Sequence, residues 1–250
     1  MPTDVDAKKS AQLPIFYQQP EVMTLRAHGA LSLDRQKDYA FSRLTNAVPV
    51  NANEFRLAAS WYPVVFGPEN AGLAMAVVGM LPDQNAFVGE DGQWREADYI
   101  PAYVRRYPFI VAESGDDRKL CLDMGCPRVR PSAEAGAAAD PLFTNGEPSA
   151  LTESAKSFCA AYDDAAQATR VLVEHLDQLG LLVERTATAR WDDGLTKSLS
   201  GFRVVDEEKF KALDRAAIAT MHENNWLEPV FAHLLSVAAW SRIRRLSAQG

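Results

Sequence analysis

Cysteine and histidine are scarce in this chain. Its 250 residues include three cysteines (Cys121, Cys126 and Cys159) and four scattered histidines. Three cysteines cannot all pair within one chain, so we expect free thiols in a reducing compartment rather than a disulfide framework. Cys121 and Cys126 have an allowed spacing for metal ligands, but no second Cys or His pair follows them, as a zinc site would require. The sequence therefore predicts no metal site.

Excess basic charge and long apolar runs are also missing. The formal net charge is −7 at pH 7, whereas proteins that bind phosphate backbones usually carry a basic face, so nucleic acid is not expected as a partner. The longest apolar stretch, Ala71 to Leu81, is far shorter than the roughly 20 residues of a membrane span. Met1 to Ser10 mixes acids with lysines and lacks the apolar region of an export signal. We therefore expect a cytoplasmic protein, with a flexible tail over residues 1–12.

The short motifs of common catalytic sites are absent. No glycine-rich phosphate-binding sequence and no Gly-x-Ser-x-Gly turn occurs. Cys159 falls on the core-facing side of a predicted helix, which favours an inert, buried thiol. Adjacent acids are frequent, but turns, a solvated helix face or a helix start account for each group: Asp116–Asp117, Asp163–Asp164, Asp192–Asp193 and Asp206–Glu208. The sequence therefore identifies no catalytic residue and no cofactor.

The residues that are present predict an α+β protein whose N-terminal half is rich in mixed or antiparallel sheet. The composition, 47% hydrophobic and 24% charged, is that of an ordinary globular protein. Apolar, β-favouring runs separated by proline and glycine predict strands in three places, Trp61–Phe66, Leu73–Leu81 and Asn85–Gly89. A hairpin is expected next, from residues 109–113 and 119–123, because Leu120 and Leu122 alternate with polar neighbours.

The C-terminal half is predicted to hold long amphipathic helices and a β-hairpin. Apolar residues at three- and four-residue steps predict a helix from Leu151 to Leu179, ended by Gly180. Two strand-like runs, Leu181–Trp191 and Leu195–Val205, flank an Asp-Asp-Gly turn. Asp206 is expected to cap a following helix, and a last helix spans about Leu227 to Leu246. Residues 13–250 are expected to form a single domain, with a boundary or loop insertion in the Ala-, Gly- and Pro-rich stretch 127–146.

The most distinctive segment is the aromatic and basic run from Tyr99 to Phe109. We expect Asp98 to cap a helix of two turns that places Tyr99, Tyr103 and Arg106 on one face. Phenols and guanidiniums presented together, with Arg105 among them, are suited to an anionic or aromatic ligand. Alternatively, the tyrosines pack the sheet and the arginines pair with nearby acids. Two further candidates for the same ligand or partner surface are Trp61 and Arg203.

Several stretches of this sequence together resemble the SapC family of bacterial proteins, which is named for a gene associated with surface-layer protein loci. The two most specific are Tyr99–Phe109 and the Leu-Ser-Gly-Phe-Arg-Val-Val-Asp sequence that ends at Asp206. The resemblance implies one domain of this family over residues 13–250, but carries over no catalytic residue. It also implies an accessory role in a bacterial modification, uptake or surface-related pathway, because such proteins are encoded near halogenase-like enzymes, cupin-like enzymes and TonB-dependent receptors.

Three functional hypotheses follow. In the first, the chain is a non-catalytic protein whose Tyr99–Arg106 face binds a peptide, a glycan or a partner such as a halogenase-like or cupin-like enzyme. In the second, it is an enzyme with dispersed catalytic residues that acts on a peptide or carbohydrate, with Arg105, Arg106 and Arg203 binding anionic groups of the substrate. In the third, it is a homo-oligomer that pairs through the apolar stripe of its last helix.

Overall fold

The computed structural model describes residues 13–114, 117–191 and 194–248. The predicted tail over residues 1–12 lies outside these ranges. The strands are β1 (Pro20–Val22), β2 (Leu31–Asp34), β3 (Ala47–Pro49), β4 (Val64–Phe66), β5 (Ala74–Val77), β6 (Phe109–Ser114), β7 (Asp117–Asp123), β8 (Val129–Pro131), β9 (Ala139–Pro141), β10 (Phe143–Thr144), β11 (Glu147–Pro148), β12 (Leu182–Arg190) and β13 (Thr196–Val205). The α-helices are α1 (Leu25–His28), α2 (Phe55–Ala58), α3 (Ala102–Arg105), α4 (Ser132–Ala135), α5 (Ala150–Gln178), α6 (Glu207–Lys211), α7 (Arg215–Glu223), α8 (Leu227–Ser236) and α9 (Trp240–Ser247).

The strands pair antiparallel in several small sheets, so the α+β prediction is confirmed. The largest sheet has the order β12-β13-β4-β5-β3, and smaller sheets have the orders β1-β7-β6, β8-β2-β9 and β10-β11. In the largest sheet Arg203 of β13 pairs with Phe66 of β4. The C-terminal hairpin therefore completes a sheet that the N-terminal half begins.

The long helix α5 confirms the helix that the apolar periodicity of its sequence predicts. The Ser149 side chain accepts a hydrogen bond from the backbone N–H of Thr152 and caps the helix. Gly180 adopts a φ of +63°, a left-handed conformation that ends helices and suits glycine. The helix buries Leu172, Val173 and Leu176 against the largest sheet and its covering helices, so its apolar face helps to form the main core.

Both predicted hairpins form, and so does the helix start at Asp206. Strands β6 and β7 pair along the whole of β6, with Phe109 opposite Leu122. Strands β12 and β13 also pair, with a register shift between Arg185 and Ala187, and their connecting glycine, Gly194, has a φ of +88°. The two aspartates predicted before it in the turn lie outside the described residues. The Asp206 side chain accepts hydrogen bonds from two backbone N–H groups of α6, as its predicted capping role requires.

The segment Asn85–Gly89 and the last helix differ from their predictions for local reasons, and the strands predicted at Trp61–Phe66 and Leu73–Leu81 are observed only over Val64–Phe66 and Ala74–Val77. Asn85–Gly89 is not a strand, because the Asn85 side chain accepts a hydrogen bond from the backbone N–H of Phe87 and bends the chain. The last helix is interrupted by a 3₁₀ turn at Val237–Ala239, which divides it into α8 and α9. The hydroxyl of Ser236 donates to the carbonyl of His233 at 2.6 Å, a bond that is known to bend helices.

The Ala-, Gly- and Pro-rich stretch contains short regular elements. Strands β8 and β9 pair with opposite edges of β2, and α4 connects them through a 3₁₀ turn. Residues 127–146 are thus attached to a strand from the beginning of the chain. The domain boundary or loop insertion expected in residues 127–146 stays a prediction. Of the helices in the described ranges, not one combines the length and apolar character that crossing a bilayer requires.

Candidate ligand site

The helix in the distinctive segment begins later than the sequence predicts. Pro101 has extended backbone angles, with a ψ of 141°, so α3 starts at Ala102 and Tyr99 precedes it. Asp98 is not its cap. Instead Oε1 of Glu54 accepts the backbone N–H of Ala102 at 2.7 Å and the hydroxyl of Tyr99 at 2.5 Å. The predicted face that joined Tyr99 to Tyr103 and Arg106 is therefore wrong, because a distant carboxylate caps the helix.

The Glu54 carboxylate also caps a second, shorter helical turn, the one that it ends. Glu54 ends a 3₁₀ turn, and its Oε2 accepts the backbone N–H of Asn51 at 3.0 Å in a capping box. Only 6% of Glu54 is exposed. A buried carboxylate with three hydrogen-bond donors is well satisfied. Glu54 therefore fixes the distinctive segment to the turn that precedes α2.

Arg106 is buried against tyrosine rings. Its guanidinium carbon lies 4.2 Å from the ring centre of Tyr162, 4.4 Å from that of Tyr103 and 5.7 Å from that of Tyr17. We call these three rings the tyrosine cluster. Arg106 is 5% exposed, and its Nη1 lies 3.6 Å from a carboxylate oxygen of Asp163. The geometry is that of cation–π contacts with a partly exposed counter-ion.

The tyrosines of the segment are neutral structural donors. Burial raises the pKa of Tyr17, Tyr103 and Tyr162 above the ordinary value of a phenol, despite the opposing charge of Arg106. The hydroxyl of Tyr103 donates to the carbonyl of Ile15 at 3.0 Å. The hydroxyl of Tyr107 donates to Asp123 at 3.0 Å. These bonds attach the segment to the chain before β1 and to the end of β7.

Arg105 points elsewhere and is exposed. Its guanidinium carbon lies 5.2 Å from the ring centre of Phe158 on α5 and 5.6 Å from that of Tyr99, and its Nε donates to the carbonyl of Ile100 at 2.9 Å. Adjacent positions in a single helical turn point in different directions. Arg105 and Arg106 therefore have different environments, although both reach the same cavity.

A cavity of about 330 Å³ lies between α3, α5 and the loop that follows β2. Four cationic residues line it, and Asp38 is the acid among its described lining residues: the cations are Lys37, Arg105, Arg106 and Arg128. We call it the cationic cavity. The local excess of positive charge contrasts with a chain whose net charge is −7. Its electrostatics therefore favour an anion.

The remaining wall of the cationic cavity is largely apolar. Phe41, Phe109 and Phe158 line it, with Leu33 and Leu151. The ring of Phe41 stacks on that of Tyr107, with ring centres 4.0 Å apart. Small-molecule sites commonly combine apolar walls with a few polar groups that set orientation. The cavity is thus suited to a small ligand with an anionic end and an apolar body.

Two guanidinium nitrogens at this cavity have no hydrogen-bond partner among the described residues. They are Nε of Arg106 and Nε of Arg128, and both atoms are buried. Arg128 also donates from Nη2 to the carbonyl of Asp34 at 2.7 Å, which holds its side chain in place. Buried donors are normally paired, because a buried donor without a partner destabilises the fold. Both atoms are closed to solvent, so it is the rest of each guanidinium that carries its fixed positive charge towards the cavity that these residues line.

A thiol also lines the cationic cavity. Burial raises the pKa of Cys159 to about 11, and the charge of Arg106 only partly opposes this effect. The nucleophile in cysteine chemistry is the thiolate. At neutral pH Cys159 therefore remains a protonated thiol. Elsewhere, the described residues contain no group of three or more His, Cys, Asp or Glu side chains placed to hold a metal ion.

The other two candidates lie outside the cationic cavity. Arg203, 6% exposed, donates from Nε to the carbonyl of Gly67 at 2.8 Å and forms an ion pair with Asp177 of α5. Trp61 packs against the main core, and Arg242 of α9 lies over its ring at 4.6 Å. The structure therefore brings Arg105 and Arg106 together at one cavity, but neither Arg203 nor Trp61 lines it.

Sequence reasoning missed Lys37, Arg128 and Glu54. Lys37 and Arg128 stand among ordinary polar neighbours, and their convergence depends on β8 pairing with β2. Glu54 had a local signal, because Asn51 and Glu54 have the spacing of a capping box. Phe158 belonged to the predicted apolar series of α5, but nothing in that periodicity placed it under Arg105.

Comparison with known proteins agrees with the resemblance in the sequence. The model of the SapC family matches residues 23–243 of the chain. No curated protein and no solved structure matches it. The match covers the distinctive segment, the cationic cavity and nearly all of the described fold, and the chain belongs to the SapC family.

Proposed function

We propose that this member of the SapC family is a non-catalytic binding protein that holds a small carboxylate-bearing ligand in the cationic cavity. The ligand's anionic group contacts the arginines, and its apolar part lies along the phenylalanine wall. The end of a peptide has this chemistry, and so does an acidic sugar linked to an apolar group. In the cell the protein acts with a protein partner in a bacterial modification, uptake or surface-related pathway, the role that the family resemblance implies.

The observation that carries this proposal is that Lys37, Arg105, Arg106 and Arg128 line one cavity whose remaining wall is largely apolar. Guanidinium groups are always charged and match the geometry of carboxylates, with which they form strong, charge-assisted hydrogen bonds. Arg105 is exposed beside them and can close over a bound anion. A carboxylate in the cavity would be held by these fixed positive charges.

The protonation states of the cavity support binding rather than catalysis. The Cys159 thiol is protonated at neutral pH, and Tyr107 is held neutral by burial, which raises its pKa. A general base needs a pKa near the working pH, and nucleophilic catalysis needs an activated nucleophile. Neither residue provides one, whereas the fixed charges of the arginines are suited to holding an anion.

Isothermal titration calorimetry with a matched pair of probes tests the proposal. N-acetylphenylalanine carries a free carboxylate and an apolar ring, and N-acetylphenylalaninamide has the same ring without the charge. We expect the acid to bind at least about tenfold more tightly, because one charge-assisted hydrogen bond contributes about 1.5–3 kcal/mol. Phenyl glucuronide distinguishes an acidic sugar from a peptide end. Equal binding of the acid and the amide would contradict the proposal.

Variants locate the binding. Arg105→Gln and Arg128→Gln should each weaken binding of the preferred acid by about tenfold. Arg130→Gln is the matched control, because this exposed arginine on β8 pairs with Asp34 outside the cationic cavity. An equal loss in the control would show that the cavity is not the site. Mass spectrometry of the recovered probes should show them unchanged, and a converted probe would contradict a non-catalytic role.

A further inference from the structure

A second concave surface lies between the short helix α2 and the last two helices of the chain. Helices α2, α8 and α9 enclose a groove of about 960 Å³. Its lining includes Arg56 of α2, Phe231 and Leu235 of α8, and Arg244 and Arg245 of α9. The groove and the cationic cavity share no lining residue. We call it the arginine groove.

Large apolar side chains are exposed in the arginine groove. Leu235 is 74% exposed and Phe231 is 53% exposed. They are four residues apart on α8, so they lie on the same face of the helix. The opposite side of α8 is committed to the core through Val230 and His233, at 0% and 1% exposure. Rotation of the helix therefore cannot bury the exposed pair without exposing core residues.

Cations surround these apolar side chains. Arg244 and Arg245 are exposed on α9, Arg242 lies over the Trp61 ring, and Arg56 pairs with Glu228 at 3.3 Å. Glu228 is the acidic residue among the groove's described lining. Three of the four arginines thus have no carboxylate partner within the groove.

We propose that the arginine groove binds an acidic amphipathic helix of a partner protein. The partner's apolar residues would pack on Phe231 and Leu235, and its carboxylates would face Arg244 and Arg245. Peptide helices dock in this way, with apolar anchors at helical spacing in a groove between helices. Complementary charge sets the register of such a contact and suppresses wrong partners.

Charge argues against a second copy of this chain as the occupant. A twofold contact through the arginine groove would place this arginine-rich patch of one copy against the same patch of the other, with Glu228 as the acid among its described lining residues. Such like-charge contacts oppose association. The concave shape also argues against a lipid surface, because membrane-bound amphipathic helices lay an apolar face flat in the interface. An acidic helix satisfies both the shape and the charge.

Selection from a displayed peptide library tests the inference with the whole chain as bait. Random peptides of about 16 residues are long enough for about four helical turns. Peptides retained by the wild type but lost with Leu235→Glu should be enriched in Asp and Glu and carry apolar residues at three- and four-residue steps. Leu44→Glu is the matched control, since Leu44 is 78% exposed but lies outside the groove. It should retain the same peptides.

Charge reversal provides the second arm. The double variant Arg244→Glu and Arg245→Glu should weaken binding of a selected acidic peptide by at least about tenfold in fluorescence anisotropy and should select basic peptides instead. Thermal unfolding establishes that each variant is folded, which exposed positions should permit. Selected peptides without acidic bias, or no peptide dependent on Leu235, would overturn the inference.

Two other outcomes would overturn the inference and assign a different occupant to the arginine groove. A dimeric mass in light scattering that Leu235→Glu makes monomeric would assign the groove to a second copy. Sedimentation with phosphatidylserine vesicles, lost on charge reversal, would assign it to a membrane. Because these measurements do not involve the cationic cavity, they can fail while the carboxylate titrations succeed, and the reverse holds as well.

Discussion

Replacing Glu54 with glutamine should destabilise the protein far more than its conservative shape suggests. The change keeps the size of the side chain but converts one carboxylate oxygen into an NH₂ group. Oε1 accepts from Tyr99 and Ala102, and Oε2 accepts from Asn51. Whichever way the amide turns, a donor faces a donor in a nearly buried position.

The expected loss follows from these contacts. In the better orientation the variant keeps the Tyr99 and Ala102 bonds to a neutral oxygen and loses the bond from Asn51. A hydrogen bond to a charged group contributes about 1.5–3 kcal/mol, and a buried donor without a partner costs about 1–3 kcal/mol. We therefore expect Glu54→Gln to lower the free energy of unfolding by about 2–4 kcal/mol. For a chain of this size that lowers the melting temperature by roughly 5–12 °C.

Thermal and urea unfolding, followed by circular dichroism, measure this loss. Glu69→Gln is the control, because Glu69 is exposed and its charge change is identical. Tyr99→Phe removes one donor to the same oxygen, so its cost should fall when Glu54 is already glutamine. If Glu54→Gln shifted the melting temperature no more than Glu69→Gln, Glu54 would not hold the distinctive segment in place.

Two further predictions concern the buried histidine and the adjacent arginines. Burial lowers the pKa of His233 from its ordinary 6.5 to about 4, although its hydrogen bond to the carbonyl of Val64 favours the charged form. The unfolded chain then binds a proton that the folded chain does not, so this contribution to stability is complete above about pH 6.5 and falls as the pH drops towards 4. The free energy of unfolding should decrease by about 2 kcal/mol between about pH 7.5 and about pH 5 through this histidine. Urea unfolding at these pH values should show a weaker pH dependence for His233→Gln. The control His222→Gln changes an exposed histidine and should leave the dependence unchanged. Arg106→Ala should cost more than about 3 kcal/mol, because it opens a cavity in the tyrosine cluster and removes a cation beside Asp163, whereas Arg105→Ala at an exposed position should cost less than about 1 kcal/mol. Melting temperatures of the two variants test this contrast, and equal losses would show that the buried Arg106 stabilises the fold no more than the exposed Arg105 does.

Much of the local structure follows from short-range patterns in the sequence. The helix that starts after Ser149 and ends before Gly180 follows from periodicity, a cap and a glycine, all of which act within a few residues. The same holds for the β6–β7 hairpin and the capping side chain of Asp206. Patterns of this kind need no tertiary contact to be recognised. They suffice for the α+β class.

The candidate site depends on contacts between residues that are distant in sequence, and short-range patterns do not predict these contacts. The predicted helix from Asp98 fails because Glu54, 48 residues before Ala102, provides the cap. Arg105 and Arg106 look equivalent in sequence, yet one is exposed and the other is 5% exposed. Only the approach of Tyr17 and Tyr162, which belong to the start of the chain and to α5, decides which arginine is buried.

The sequence by itself determined the family, the class of fold and the bounds of its longest helix and its two predicted hairpins, to within a few residues. Those properties depend on composition and on neighbours within a few positions. Tertiary structure alone decided that the segment's tyrosines pack a core, and that Arg105, Arg106, Arg128 and Lys37 line one cavity. The pairing of β2 with β8 and the packing of α5 bring these cations together, and such contacts depend on the complementarity of distant surfaces rather than on local sequence.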